Sequence, residues 1–105
     1  MIFARTGKLI PVLPKNYRRI ALYAISVAVR PVVLVNGRPV DDFSAAGPLT
    51  QKKIRSYRDF EIRDGASPIL GFHDHPNEMW VSETHAPVVD YCASQGWLKA
   101  QGPAS

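Results

Sequence analysis

The stretch VVLVNGRPV, residues 32–40, carries the clearest fold signal in this chain of 105 residues. Asn36-Gly37 separates two mostly apolar runs, and both central residues of a type I′ turn need a positive φ angle. Asparagine and glycine adopt that angle more easily than other residues, so the sequence predicts a two-residue β-hairpin here. Pro39 has no amide hydrogen to donate and places the second strand at a sheet edge.

Other strands are predicted on both sides of this hairpin. Short apolar runs bounded by turn-forming residues are typical of antiparallel strands. The predicted elements are a hairpin over 2–12 that bends at Thr6-Gly7, a strand over 60–65 that runs into a glycine turn, and a hairpin of 68–74 with 78–82 closed at Pro76-Asn77.

The segment YRRIALYAISVAVR, residues 17–30, fits two structures. A helix would align one apolar face, made of Tyr17, Ile20, Ala21, Ala24 and Ala28. A strand would instead alternate large residues with small or polar ones, the large ones being Tyr23, Ile25, Val27 and Val29. We predict the strand, because the alternation is regular and most of the large residues are β-branched.

Two short helices are predicted. The first lies within GPLTQKKIRSYR, residues 47–58, where Pro48 suits a first helical turn because its missing N–H costs no hydrogen bond there. The second spans about 85–95, with Thr84 as the N-cap and Pro87 in the first turn. Gly96 then stops this helix in the left-handed conformation, and Trp97 folds back towards Cys92.

These elements predict an α+β fold with a single domain over residues 1–101. The sheet is expected to be mainly antiparallel and built from hairpins, with two short helices, the C-terminal one packed on the sheet. Residues 102–105 are expected to form a flexible tail. The expected core comprises Phe3, Ile10, Leu22, Ile25, Val27, Val33, Val35, Phe60, Ile62, Ile69, Val81, Val89, Cys92 and Trp97.

Charge and composition narrow the class of protein. The net charge of +4 favours acidic partners such as a nucleic acid or an acidic protein surface. The single cysteine excludes an internal disulfide and fits a reducing compartment. The longest apolar run, 20–29, is about half of the roughly 20 residues that a membrane span needs. The opening MIFARTGK lacks the apolar centre of a signal peptide, so we expect a cytoplasmic protein with no membrane partner.

The segment GFHDHPNEMW, residues 71–80, suggests a metal site. If Pro76-Asn77 is a two-residue turn, His75 pairs with Glu78, and His73 with Trp80, so that all four share one face of the hairpin. Two imidazoles and a carboxylate suit zinc, and His85 would add a further ligand if the last helix packed over the hairpin. Zinc is the one cofactor that the sequence suggests, but we favour a solvated polar face.

GFHDHP also resembles the HxHP element of the JAMM/MPN metalloproteases, in which two histidines bind zinc. His73 and His75 match those histidines, and Ser82 lies near the family's serine. His85 stands where the family has a metal-binding aspartate, and Glu61 lies too close to His73 to match the catalytic glutamate. The resemblance therefore implies zinc binding at the two histidines but no assignment to the family.

The predicted helix at 47–58 carries a basic cluster made of Lys52, Lys53, Arg55 and Arg58. Lysine and arginine beside an aromatic residue such as Tyr57 suit phosphates and nucleic-acid bases. No nucleic-acid-binding fingerprint accompanies them, so an acidic protein partner and a solvated helix face remain alternatives.

The sequence contains no phosphate-binding glycine loop and no nucleophile elbow, and we assign no catalytic residue. We leave enzymatic activity open and lean against it. The expected function is a small interaction module that binds another protein, or a second copy of itself, through hairpin surfaces and sheet edges. Divalent-metal binding and nucleic-acid binding are the alternatives.

Overall fold

A computed structural model describes residues 7–10, 16–44, 46–74 and 79–97 of the chain. These residues form one six-stranded sheet and three helices. The strands are β1 (Gly7–Ile10), β2 (Pro31–Val35), β3 (Arg38–Val40), β4 (Asp59–Asp64), β5 (Ser67–His73) and β6 (Met79–Ser82). The helices are α1 (Tyr17–Val27), α2 (Gln51–Ser56) and α3 (Ala86–Ser94).

The predicted α+β class is confirmed. The strands follow the order β1-β6-β5-β4-β2-β3, and all five neighbouring pairs are antiparallel. Three of the pairs, β2 with β3, β4 with β5 and β5 with β6, connect strands that are consecutive in the chain, as expected of a sheet built from hairpins. Helix α3 packs on the sheet through Val88 and Cys92, which belong to the buried core.

The prediction of a strand over 17–30 is wrong, because residues Tyr17–Val27 form helix α1. The alternative apolar face is the one that packs on the sheet, and four of its residues are fully buried: Tyr17, Ile20, Ala21 and Ala24. Two alanines on this face, Ala21 and Ala24, favour a helix because alanine has the highest helix propensity. The large residues that suggested a strand, Ile25 and Val27 among them, end up half-buried at the margin of the core.

The hairpin at Asn36-Gly37 is confirmed. Asn36 has a φ of 51° and Gly37 a φ of 82°, as a type I′ turn requires. The Asn36 side chain also accepts hydrogen bonds from the backbone N–H groups of Arg58 and Asp59, at 2.9 and 3.0 Å. The turn is therefore fastened to the beginning of β4, and β3, with Pro39, forms one edge of the sheet as predicted.

Two predicted turns or caps differ from the structure. Gly7, expected at a bend, already pairs with Ser82 as part of β1, and the rest of that predicted turn lies outside the described residues. Thr84 does not cap α3: His85 occupies the N-cap position, while the Thr84 hydroxyl bonds the Ser82 hydroxyl at 2.8 Å. The Thr84 hydroxyl is therefore hydrogen-bonded to Ser82, at the end of β6, instead of to the first turn of the helix.

The ends of the other two helices also show how local chemistry sets their limits. Helix α2 begins at Gln51, three residues after the start predicted from Pro48. The Thr50 side chain accepts a hydrogen bond from the N–H of Lys53 and so acts as the N-cap of the helix. At the end of α3, Gly96 has a φ of 73°, and the N–H of Trp97 bonds the carbonyl of Cys92 at 2.9 Å. The predicted helix stop is confirmed.

The core lies between one face of the sheet and the three helices. Seven residues of the expected core are buried: Val33, Phe60, Ile62, Ile69, Val81, Cys92 and Trp97. Five are half-buried, and all of them except Leu22 pack against its margin: Leu22, Ile25, Val27, Val35 and Val89. The side chains of Phe3 and Ile10 lie outside the described part of the chain. Each described helix is too short or too polar to cross a lipid bilayer.

Two glycines are required for different reasons, which predicts different costs of substitution. A Cβ at Gly37 would meet no atom within 4 Å, so Gly37→Ala suffers only from its φ of +82° and should lose about 1 kcal/mol. A Cβ at Gly71 would lie 2.3 Å from the Phe60 carbonyl oxygen, so Gly71→Ala must force β4 and β5 apart. We expect a loss of about 3 kcal/mol or more in urea unfolding. Equal losses in the two variants would contradict this account.

Candidate functional site

The sheet face opposite the helices carries most of the polar side chains of its central strands. Leu34 pairs with Glu61, Glu61 with Gly71, and Gly71 with Trp80, so these four residues form one row across the sheet. Cross-strand partners share a face, as do residues two apart along a strand. We define the polar face by the residues Leu34, Asp59, Glu61, Arg63, Gly71, His73 and Trp80.

A shallow pocket opens on the polar face, next to the Asn36-Gly37 turn. Its volume is about 100 Å³, and its lining residues are Leu34, Gly37, Asp59, Phe60, Glu61 and His73. The turn, the first residues of β4 and the end of β5 meet here because Asn36 bonds to the start of β4 and Asp59 pairs with His73. We call this the polar-face pocket.

His73 lies between two carboxylates in the pocket. Its Nδ1 is 3.6 Å from Asp59 Oδ1, and its Nε2 is 3.8 Å from Glu61 Oε1. Both distances exceed that of a hydrogen bond, so the contacts are electrostatic rather than directional. The imidazole therefore stands between the acids without being bonded to either of them.

Glu61 is the most deeply buried acid of the pocket, with 9% of its surface exposed. Arg63, two residues further along β4, approaches it with two nitrogens: Nε at 2.7 Å from Oε2 and Nη2 at 3.3 Å from Oε1. The hydrogen bond to Glu61 and its charge raise the pKa of Arg63 above its ordinary value. This pair compensates a charge that would otherwise be costly to bury.

Asp59 has one ion-pair contact among the described residues, with His73, and its charge also helps to raise the pKa of Arg58, after the hydrogen bond and the charge of Asp74. The neighbouring Arg58 is bonded to Asp74, with Nε 2.5 Å from Oδ1. Around the pocket, three carboxylates (Asp59, Glu61, Asp74) therefore face two guanidinium groups (Arg58, Arg63), which leaves a formal charge of −1 when His73 is neutral. A negatively charged pocket thus forms in a protein whose net charge is +4.

The structure separates the predicted metal ligands that it describes. His73 lines the pocket, whereas His85 lies at the start of α3. There it is close to Asp64 and helps to lower the pKa of that carboxyl, although the hydrogen bonds from the backbone N–H groups of Arg30 and Val29 lower it more. Asp59 and Asp64 are the two ends of β4, roughly 16 Å apart for five steps of about 3.3 Å. His85 therefore does not join His73. His75 and Glu78 lie outside the described residues.

The predicted pairing of His73 with Trp80 is wrong. Trp80 pairs with Gly71, so the register is shifted by two residues from the one expected for a tight turn at Pro76-Asn77, which itself lies outside the described residues. Asp74 already leaves the strand with a φ of 62°, so the connection is longer than two residues. Because the shift is an even number, His73 and Trp80 still face the same side of the sheet.

A metal site does not emerge from the residues that the structure describes, since no group of three or more His, Cys, Asp or Glu side chains is arranged to hold an ion. The two nitrogens of His73 point to different carboxylates. An ion bound at one nitrogen could thus not use both acids. The arrangement suits binding of a polar or charged group better than coordination.

The predicted basic cluster does not form one helical face. Helix α2 ends at Ser56, so Arg58 lies beyond it at the start of β4, where Asp74 holds it. Lys53 donates to the carbonyl of Ala46 at 3.4 Å, although it remains exposed. Lys52, Lys53 and Arg55 are the three members of the cluster that stay exposed on α2 itself. Their surface is smaller than the sequence suggested.

Sequence reasoning missed the two acids of the pocket and the arginine that pairs with Glu61. The signal was present in DFEIR, residues 59–63, where Asp59, Glu61 and Arg63 alternate with Phe60 and Ile62. Such alternation puts the charged residues on one face of a strand and the apolar ones on the other. What the sequence did not show is that His73 would be their neighbour across the β4–β5 pair.

Cys92 is the one thiol of the chain and lies in the core, away from the polar face. Burial raises the pKa of the Cys92 thiol from 9.0 to about 11, so it stays protonated at neutral pH. A protonated, fully buried thiol is a poor nucleophile. It supplies no chemistry to the pocket.

Comparison with known proteins gives no identification. The chain matches no family model, and neither the curated proteins nor the solved structures show significant similarity to it.

The raised pKa of Cys92 predicts a loss of stability at high pH. The unfolded thiol ionises near pH 9 and the folded one near pH 11, so its stabilising effect is complete below pH 9 and is lost as the pH rises towards 11. In urea unfolding, the difference in free energy between wild type and Cys92→Ala should therefore narrow across that interval. Other groups titrate equally in both proteins. A constant difference would show that the thiol is not buried.

Proposed function

We propose that this protein is a small non-enzymatic interaction module that binds another protein through the polar-face pocket. The observation that supports this most is a shaped pocket with fixed charged walls, whose described lining residues include no serine, threonine or cysteine nucleophile. Leu34 contributes apolar surface, and Asp59, Glu61 and His73 contribute polar groups. Pockets that combine apolar walls with a few oriented polar groups are suited to anchoring a side chain.

The pocket is organised before any partner arrives. Glu61 is held by Arg63, and the backbone at Asp59 is held by the Asn36 side chain at 3.0 Å. The Asp59 carboxylate in turn accepts the N–H of Asp74 at 3.2 Å. Side chains that are already ordered lose little conformational entropy on binding, which favours a recognition role.

The β3 edge is a poorer docking site than the sequence suggested. Val35 and Arg38 flank the two-residue turn and form its closing, hydrogen-bonded pair. Leu34 and Pro39 therefore form the next pair, whose backbone groups do not bond to each other. The backbone of Pro39 therefore faces outwards, and proline offers no N–H to an added strand. A proline at this position protects an edge from strand addition, so we assign partner binding to the face rather than to this edge.

The protein partner is either a different chain or a second copy of this one. We place the module in the cytoplasm, where its single thiol would stay reduced. Metal binding and nucleic-acid binding are less well supported: His85 is remote from His73, and Arg58 of the basic cluster is already paired with Asp74.

Selection from a random peptide library displayed on phage tests this proposal. The folded protein should enrich peptides that bind with a Kd below about 100 µM and shift the backbone amide resonances of the pocket residues in two-dimensional NMR. Leu34→Ala should weaken these peptides at least about five-fold, because Leu34 lines the pocket. Val29→Ala is the matched control, since Val29 is 86% exposed and outside the pocket. Failure to enrich any peptide, or equal binding by both variants, would refute the proposal.

A further inference from the structure

We infer, on the basis of the proposed function, that the polar-face pocket receives an arginine side chain of the partner protein, with the guanidinium group stacked on the imidazole of His73 and reaching Asp59 and Glu61 on its two sides. The inference names the chemistry of the partner that this site recognises. Three observations support it: the pocket is small, it is negatively charged, and the nearby arginines of this chain are already paired with other carboxylates.

Size restricts the occupant to a small group. A pocket of about 100 Å³ has the volume of about three water molecules in the liquid. The four heavy atoms of a guanidinium group fit such a space. A protruding side chain therefore suits the pocket better than a free ligand of drug size.

Charge selects a cation. The groups around the pocket sum to a formal charge of −1, and Glu61 is nine-tenths buried, so its field is only weakly screened by solvent. An anion would meet two carboxylates at the pocket wall. A cation would meet Asp59, which lies near Arg58 but forms no ion pair with it among the described residues, and Oε1 of Glu61, which accepts the longer of the two Arg63 hydrogen bonds, at 3.3 Å.

The arginines of this chain that lie nearby do not fill the pocket. Arg63 is bonded through two nitrogens to Glu61, and Arg58 is bonded to Asp74. Neither side chain is among the lining residues. No lysine or arginine of the described residues forms an ion pair with Asp59, so we assign the cation that balances this charge to the partner.

Arginine suits this geometry better than lysine. Asp59 and Glu61 stand on two sides of the His73 ring, and the five N–H groups of a planar guanidinium can reach acceptors in different directions at once. Its methylene groups would lie along Leu34, and its flat face suits the imidazole of His73. An ammonium group is a compact, strongly hydrated charge and cannot use both sides equally.

NMR titration with Nα-acetyl-arginine methylamide tests the inference directly. Saturable shifts are expected at the amides of Gly37, Asp59, Glu61 and His73, with weaker shifts for the lysine analogue and none for the neutral citrulline analogue at concentrations up to about 50 mM. Asp59→Asn should weaken arginine binding at least about five-fold, because it removes one carboxylate charge from the pocket while keeping the shape. Asp90→Asn is the matched control, since Asp90 is an exposed acid on α3.

Three results would overturn the inference: no saturable shift at the pocket, equal binding of the citrulline or lysine analogue, or equal effects of Asp59→Asn and Asp90→Asn. The peptide selection separates this failure from a failure of the proposed function. Peptides that bind at the pocket without containing an arginine would refute only the inference about arginine and would leave the protein-binding role intact. The absence of any pocket-binding peptide would remove the protein-binding role itself.

Discussion

The close approach of β4 and β5 at Gly71 is the constraint on which the rest of the structure depends. The backbones come so near that a Cβ at Gly71 would lie 2.3 Å from the Phe60 carbonyl oxygen, so glycine alone permits this pairing. The pairing places Glu61 opposite Gly71 and Phe60 opposite Phe72. A shift by one residue would turn charged side chains into the core, so this contact determines both faces of the sheet.

The two faces then serve different purposes. The apolar side chains of β4, Phe60 and Ile62, pack against the helices, and burial of such groups supplies most of the stability of a small domain. The opposite side of the same strand carries Asp59, Glu61 and Arg63. Glu61 and Arg63 satisfy each other there, which allows a buried acid to persist without destabilising the sheet.

The pocket depends equally on the short turn between β2 and β3. The type I′ turn at Asn36-Gly37 brings Gly37 to the mouth of the pocket, and the Asn36 side chain fastens the turn to the backbone at the start of β4. Asp59 is thereby held beside His73. Recognition by such a site would rely on fixed geometry and unbalanced charge rather than on a reactive group, since the one thiol is buried and protonated.

Local chemistry in the sequence determined the Asn36-Gly37 hairpin, the glycine stop of α3 and the α+β class, because turns and caps depend on residues that are close in the chain. The sequence did not decide whether 17–30 is a strand or a helix, since its alternation fits a strand while its alanine-rich face fits a helix. Packing against the sheet selected the helix by burying Tyr17 and Ile20. The site was likewise a tertiary outcome: alternation in DFEIR marked one charged face, but only the strand register brought His73, rather than His85, beside Asp59 and Glu61.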